Sequence, residues 1–182
     1  IIRFAKLIQP NFGAINIEDN ESPKVLEIVE RLTNEVPIPV FHDDQHGTAI
    51  ITLAALINAL KLVKKELGKV RVIISGSGSA GYGIFRILQA AGCKNIIVTD
   101  TKGAIFEGRI DIDCQNPYKK EISLNTNFRK LNGPLIEVIK KSDVFIGVSG
   151  KAGILKKQMI ESMNKDAIIF ALSNPDPEII PK

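Results

Sequence analysis

The stretch from Val70 to Asp100 constrains the fold of this chain more than any other. Val70-Arg71-Val72-Ile73-Ile74-Ser75 is a β-branched run of the kind that makes a strand buried on both faces. It runs directly into Gly76-Ser77-Gly78-Ser79-Ala80-Gly81. Ile84, Phe85, Leu88 and Ala91 then recur at helical spacing, Gly92 closes that pattern, and Asn95 to Asp100 is a second apolar run ending in an acid. Strand, glycine turn, helix and strand make a βαβ unit. The first glycine allows the tight turn and the second lets the backbone approach a pyrophosphate. The third lets helix and strand pack closely, and the helix start turns its N–H groups toward the phosphates. Asp100 follows Gly81 by 19 residues, about where an acid meets the adenosine ribose hydroxyls of a dinucleotide. The glycine spacing alone would be weak; its strand, helix and acid make it strong.

Further strands and helices alternate along the chain. Asp143 to Ser149 and Ile168 to Leu172 are buried-strand patterns, and Pro134–Lys141 and Lys156–Met163 are helical ones. The segment from Thr101 to Asn132 is polar and rich in turn residues, and is expected to be a long surface excursion. Upstream, a helix over Ile1–Gln9 precedes a short strand, Ala14–Ile17. Ser22-Pro23 marks a helix start, and Pro37 and Pro39 bracket another short strand. Thr48 to Leu67 reads as a helix whose first half is apolar nearly all round, which predicts burial. The fold class that follows is α/β, a doubly wound parallel sheet. Ligands of such sheets lie beyond the carboxyl ends of the strands, where Asp44, Gly76, Asp100, Ser149 and Asn174 fall.

Two acidic pairs stand at strand ends, Glu18-Asp19 and Asp43-Asp44. Converging strand ends that carry carboxylates suit a hard cation, Mg²⁺ or Mn²⁺. Adjacent acids are more often simply solvated, and Asp43 could equally cap a helix. His42 and His46 have the spacing of a helical zinc site, but the strand before them and Gly47 after them argue against it. Asn174 before Pro175 could serve only to shape a turn, and Met159 and Met163 fit helix packing.

Composition removes several classes of function. The net charge of +4 is spread without any Lys/Arg block, so no nucleic-acid surface is expected. No apolar run nears the roughly 18 residues of a membrane span, and no signal peptide is seen. Cys93 and Cys114, the two cysteines, make no disulfide framework, which fits a reducing, cytoplasmic setting. The chain starts without Met and stops just after a loop-like segment, as a piece of a longer polypeptide would.

These residues resemble the malic enzymes, oxidative decarboxylases of malate, and above all their compact bacterial-type branch. The resemblance rests on Ile15-Asn16-Ile17-Glu18-Asp19, Ile38 through Ala49 with its His-Asp-Asp-Gln-His-Gly-Thr-Ala string, Gly76–Gly81, Asp100–Ile105, Asp143–Ser149 and Phe170 through Pro175. It spans essentially the whole chain. It implies a Rossmann-like NAD(P)-binding domain over 45–182, truncated at its C-terminal end, and a C-terminal piece of the substrate and metal domain over 1–44. It implies Glu18, Asp19 and Asp44 as ligands of Mg²⁺ or Mn²⁺, with Asp43 as a catalytic helper. It implies Ser77 to Ala80 on the phosphates of NAD or NADP, and Asn174 near the nicotinamide or the substrate. The family's general acid/base tyrosine and lysine have no matching stretch here, so this chain is expected to be the cofactor- and metal-binding part and inactive alone. Malate and pyruvate are the implied small-molecule partners, and a homo-oligomer the implied assembly of the full-length protein. A non-catalytic dinucleotide-binding regulatory module and an amino-acid-dehydrogenase-like oxidoreductase are the alternatives. Asp100 leans toward NAD, because an acid repels a 2′-phosphate, while Lys102 and Arg109 could meet one.

Overall fold

In the computed structural model, which describes residues 1–112 and 116–180, two sheets share one chain. The larger is built from β3 (Arg71–Ser75), β4 (Asn95–Asp100), β5 (Gly103–Ala104), β6 (Val144–Gly147) and β7 (Ile168–Ala171). Its order is β5-β4-β3-β6-β7, with only β5 antiparallel. The chain leaves β3 in one direction to β4 and returns to β6 on its other side. The carboxyl ends of β3 and β6 therefore flank the topological switch point, where ligands of such sheets bind. The doubly wound α/β expectation holds.

The hydrophobic runs explain the layering. Val72, Ile73, Ile74, Val98, Val144, Phe145 and Ile146 are all buried, as strands covered on both faces require. One face packs on α3 (Thr48–Val63) and α4 (Ser79–Ala90) through Leu56, Leu60, Phe85 and Leu88. The other meets α6 (Leu135–Val138) and α7 (Lys157–Glu161) through Val138, Met159 and Leu155, and Met163 joins this cluster as packing. Cys93 is buried among apolar side chains, which pushes its thiol up to about 11. Cys114 lies outside the described residues.

The second sheet is the parallel pair β1 (Ile15–Ile17) and β2 (Val40–His42), in register Ile17 to His42. It has its own small core with α1 (Ile2–Ile8) and α2 (Lys24–Glu35), built from Val25, Val29 and Leu32. Helix α2 starts at Lys24 rather than at Pro23, which sits at its cap without a side-chain cap bond.

Three expectations need correction. First, α3 is not buried all round: Ile50 is 51%, Ile51 64% and Ile57 41% exposed. Only the face carrying Ala49, Thr52, Leu56 and Leu60 meets the core. The helix ends at Val63 on a left-handed Lys64, before Gly68 is reached. Second, together with the turn before it, α3 makes a 21-residue helical stretch, Asp43–Val63, long and apolar enough by composition alone to cross a membrane. Here one face of it belongs to the core of the α/β unit. Third, the excursion after β4 is not all loop. It holds β5 and α5 (Pro117–Asn125), with Ile105 and Ile122 fully buried. Asn116 caps α5 by accepting from the Lys119 N–H, and Pro117 takes its first position, a start signal that the surrounding polarity masked.

Candidate functional site

The site begins at the turn from β3 to α4. Gly76 has φ +120°, and a Cβ there would stand 2.6 Å from the Val148 carbonyl oxygen. At Gly81 a Cβ would lie only 1.9 Å from the Gly76 oxygen, so helix and turn touch backbone to backbone. Gly78 differs. Its φ of −78° is open to any residue, and a Cβ would meet only Ser22 Oγ, at 3.7 Å. The protein's own packing does not require glycine there, whereas close approach of a phosphate does. Helix α4 has no side-chain cap, and the hydroxyl of Ser79 in its first turn is buried without a hydrogen-bond partner. Uncapped N–H groups beside an unsatisfied hydroxyl make a place for an anion.

Two cavities open from this turn. One, of about 730 Å³, runs along Gly76, Ser77 and Gly78 past Asp100 and Lys119 to an apolar wall of Leu135, Ile136 and Ile154. That is the size of a small-ligand pocket, about 300–1,000 Å³. The other, of about 340 Å³, lies between Asp44, Ser79, Ala80, Gly150 and Asn174. Val148 lines both: Gly76 to Gly78, Asp100 and Ser149 border the first, and Ser79, Ala80, Asp44 and Asn174 border the second, on either side of the same turn.

Ser149 and the loop before Asn174 are held by Glu178, which the sequence did not point to. This carboxylate is fully buried. It accepts from the N–H groups of Ser149 and Ser173, at 3.1 and 3.2 Å, and from both their hydroxyls. It thus ties the loop after β6 to the loop after β7. A Cβ at Gly147 would collide with it, which reserves that position for glycine. No local periodicity signals such a residue, since Ser149 is 29 positions away.

Asp100 sits at the end of β4, but its carboxylate faces protein groups. Arg109 grips it through Nη1 and Nη2, at 3.0 and 2.6 Å, Lys119 Nζ donates at 2.8 Å, and the Lys102 N–H at 2.9 Å. Burial opposes its ionisation, but the hydrogen bonds from Arg109, Lys119 and Lys102 and the Lys119 charge outweigh it and hold the carboxyl down at about 2. Arg109 is nearly buried rather than a loose surface cation, and the expectation that Asp100 is free for ribose does not match this geometry.

The carboxylate edge is less closed. The β1–β2 register sets Glu18 next to Asp43 along neighbouring strand ends, about 5 Å apart for parallel strands. After β2 the chain enters a π-helical turn, Asp43–Gly47, which passes into α3. The Gln45 carbonyl presses on Gly83 of α4, where a Cβ would stand 2.2 Å from the oxygen. That contact fixes the acidic turn against the nucleotide-binding helix. Glu18, Asp19, Asp43 and Asp44 are all exposed. Glu18 accepts from Asn16 Nδ2. Among the described residues no three His, Cys, Asp or Glu side chains stand in a metal-holding group. His42 is fully buried, and both its ring nitrogens lack a hydrogen-bond partner, with Nε2 3.5 Å from Asp44 Oδ2. His46 Nδ1 accepts from the His42 N–H, and burial followed by the charges of His42 and Arg86 lowers its pKa. With His42 on the strand and His46 in the turn, the two do not share a helix face as a zinc pair would.

Comparison with known proteins gives the family of the chain. The sequence model of the family described as malic enzyme, NAD binding domain, matches residues 45–179. A bifunctional malic/malolactic enzyme of Bacillus subtilis is 49% identical over 182 residues, covering all of this chain and 44% of that protein. An NAD-dependent malic enzyme of Geobacillus stearothermophilus is 50% identical over all of this chain and 37% of its own length. The crystal structure of the NAD-dependent malic enzyme of Thermotoga maritima superposes with a TM-score of 0.94 at 45% identity, over 99% of this chain and 47% of that one. The chain therefore spans less than half the length of the relatives it matches.

Proposed function

We propose a function from one premise: the chain belongs to the malic enzyme family. It is the dinucleotide-binding part of an NAD(P)-dependent enzyme that oxidises malate and releases CO₂, with residues 1–44 contributed by the substrate and metal domain. The observation that carries this reading is the uncapped start of α4, with the unpartnered Ser79 hydroxyl and the open space at Gly78, at the mouth of the switch-point cleft.

The residues divide the work. Gly76, Ser77, Gly78, Ser79, Ala80 and Gly81 receive the pyrophosphate through backbone N–H groups. Leu135, Ile136 and Ile154 offer the apolar wall for the adenine ring. Ser149, Gly150 and Asn174 border the nicotinamide side, held in place by Glu178. Glu18, Asp19 and Asp44 supply oxygen donors of the type that Mg²⁺ or Mn²⁺ takes. Their strand ends lie side by side, and Asp44 lines the cavity shared with Asn174. A bound dinucleotide would supply the hydride acceptor, and a divalent cation held by these acids would supply a Lewis acid for the malate oxygens. Asp43 stands beside the donors and supports the group that moves the hydroxyl proton. Malate and pyruvate are the small molecules exchanged, and the full-length protein is a homo-oligomer. The proton-transfer pair that the family resemblance requires is not among these residues, so the chain alone turns malate over poorly. Positioned proton transfer commonly contributes about 10²–10⁴-fold.

Isothermal calorimetry of the 182-residue chain with NAD and NADP tests the reading. Binding that Gly78→Val weakens at least tenfold supports it, and unchanged affinity in that variant removes the pyrophosphate assignment.

A further inference from the structure

We infer that the adenosine end of the cleft is built for a 2′-phosphate, held by Lys119 and Lys102, and that Asp100 positions these cations instead of binding ribose. The inference rests on the dinucleotide reading and narrows it to a cofactor carrying a phosphate on its adenosine ribose.

A carboxylate has about four acceptor positions. At Asp100 four are in use. Oδ1 takes the Lys102 N–H and Arg109 Nη1, and Oδ2 takes Arg109 Nη2 and Lys119 Nζ. A ribose diol bound by an acid must donate its hydroxyl hydrogens to that acid. Here it would have to displace charge-assisted bonds that are nearly shielded from water, for the Asp100 and Arg109 side chains are 8% and 9% exposed. Neutral hydroxyls are the weaker partners in that exchange.

Arg109 is committed as well. Besides Asp100 it donates to the carbonyls of Gly103 and Ala104, and its Nε lies 2.7 Å from Asp111 Oδ1. It serves as the clamp on the acid. Three lysines line the cavity: Lys151 follows Ser149 in the loop after β6, while Lys119 and Lys102 line it together with Asp100, Thr101, Gly76 and Gly78 and are the two whose ammonium groups pair with Asp100 and Asp111. Lys119 is 25% exposed and holds only one of its three ammonium donors on Asp100. Lys102 pairs with Asp111 at 3.0 Å while 66% exposed, a solvent-screened contact that is easily exchanged for a phosphate. Among the described residues three cations stand here against the two carboxylates of Asp100 and Asp111, a surplus of positive charge although an acid occupies the ribose position. A ribose phosphate finds donors and a counter-charge in this arrangement, whereas a bare diol finds an acid with its acceptor positions filled.

The test uses two fragments that differ only in this phosphate, adenosine 2′,5′-bisphosphate and 5′-AMP, titrated calorimetrically into the chain. The expected result is at least about tenfold tighter binding of the bisphosphate. In Lys119→Met that advantage should fall about tenfold while 5′-AMP affinity stays within about twofold, and Lys119→Arg should restore most of it. Lys102→Met gives a smaller loss in the same direction and keeps the question answerable if Lys119→Met does not fold. The bisphosphate alone should also weaken markedly with added salt. Equal affinities for the two fragments, or a Lys119 effect of the same size on both, overturn the inference and leave the dinucleotide reading standing. Failure of both fragments and of NAD and NADP to bind overturns both.

Discussion

The two ends of the cleft are made differently. At the switch point the frame is fixed by this chain: Gly81 against Gly76, Gly76 against Val148, and Glu178 between Ser149 and Ser173. At the carboxylate edge only the backbone is fixed, by the β1–β2 register and by Gln45 pressing on Gly83, while the acids themselves stand in solvent. The difference follows from charge. Backbone contacts and a hydrogen-bonded carboxylate stabilise a site with nothing in it. Ionised carboxylates repel when drawn together, so the acids gain nothing from locking one another in place. The first end is a preformed mould and the second a set of exposed carboxylates on a fixed backbone.

The largest effect should come from the glycines of the mould. Gly81→Ala places a methyl in backbone, and no rotamer relieves it, so the expected loss is about 3 kcal/mol or more by urea denaturation. Gly78→Ala should stay within about 1 kcal/mol of the parent, and a gain is possible because its conformation suits alanine. Equal losses at both positions would break the distinction between a glycine kept for packing and one kept for a ligand.

Glu178→Ala should come next. It leaves the N–H groups and hydroxyls of Ser149 and Ser173 to find new partners around a void, for a cost of about 3 kcal/mol. For a chain of this size that lowers the melting temperature by roughly 6–12 °C. A change under about 1 kcal/mol would mean that water replaces the carboxylate and that the loops after β6 and β7 are not tied through it.

How much of this was legible in the sequence depends on the range of the interaction. The βαβ unit and the glycine turn were readable, because each is set by residues close in sequence, whereas the strand order was not, because β3 pairs with β6 through residues as distant as Val72 and Val144. The exposed face of α3 was not. Ile50, Ile51 and Ile57 look like core positions, but burial depends on what lies opposite, and this chain supplies a partner for one face only. Glu178 was invisible because its partners come from two separate loops. Asp100 was read from its position alone, and the cations that fill its acceptor sites come from a segment taken for loop, with Lys119 not singled out. The acidic pairs were found by type and by strand-end position, while the spacing of their side chains is not a sequence property.

Asp100 also gives the mould a pH signature. Its pKa is held at about 2, below the ordinary 3.8, so it contributes stability above about pH 4 and loses it as the pH falls toward 2. Asp100→Asn should remove that part of the acid limb, for a loss of about 2 kcal/mol at pH 7 and progressively less difference from the parent below pH 4. Denaturation curves at pH 7, 4 and 3 check the sign. A difference that grows on acidification would mean that the carboxyl is destabilised by its surroundings.

The carboxylate edge should show the smallest effect on stability and its own effect on ions. Asp44→Asn and Asp43→Asn should each change stability by less than about 0.5 kcal/mol, because both side chains are exposed. Their effects on Mn²⁺ should differ. Asp44 borders the cavity shared with Asn174 and stands beside the unpaired ring of His42. The Asp43 side chain instead folds over the first turn of the helix, where a Cβ on Gly47 would stand 2.3 Å from its Oδ1. The Asp43 oxygen packs against Gly47 without making a side-chain cap bond, whereas Asp44 is the acid that lines the cavity and suits a cation. Mn²⁺ binding, followed through its paramagnetic effect on water relaxation, should therefore be weak in the parent and weaken further in Asp44→Asn, by more than in Asp43→Asn. Removing one of three negative donors lowers affinity for a hard cation and relieves repulsion at the same time, so apo stability should hold or rise slightly while ion binding falls. A larger loss of Mn²⁺ from Asp43→Asn would hand the ligand role to that residue. No loss from either would leave the acids as a solvated strand end, and the contrast between mould and donors would reduce to a contrast between a site and a surface.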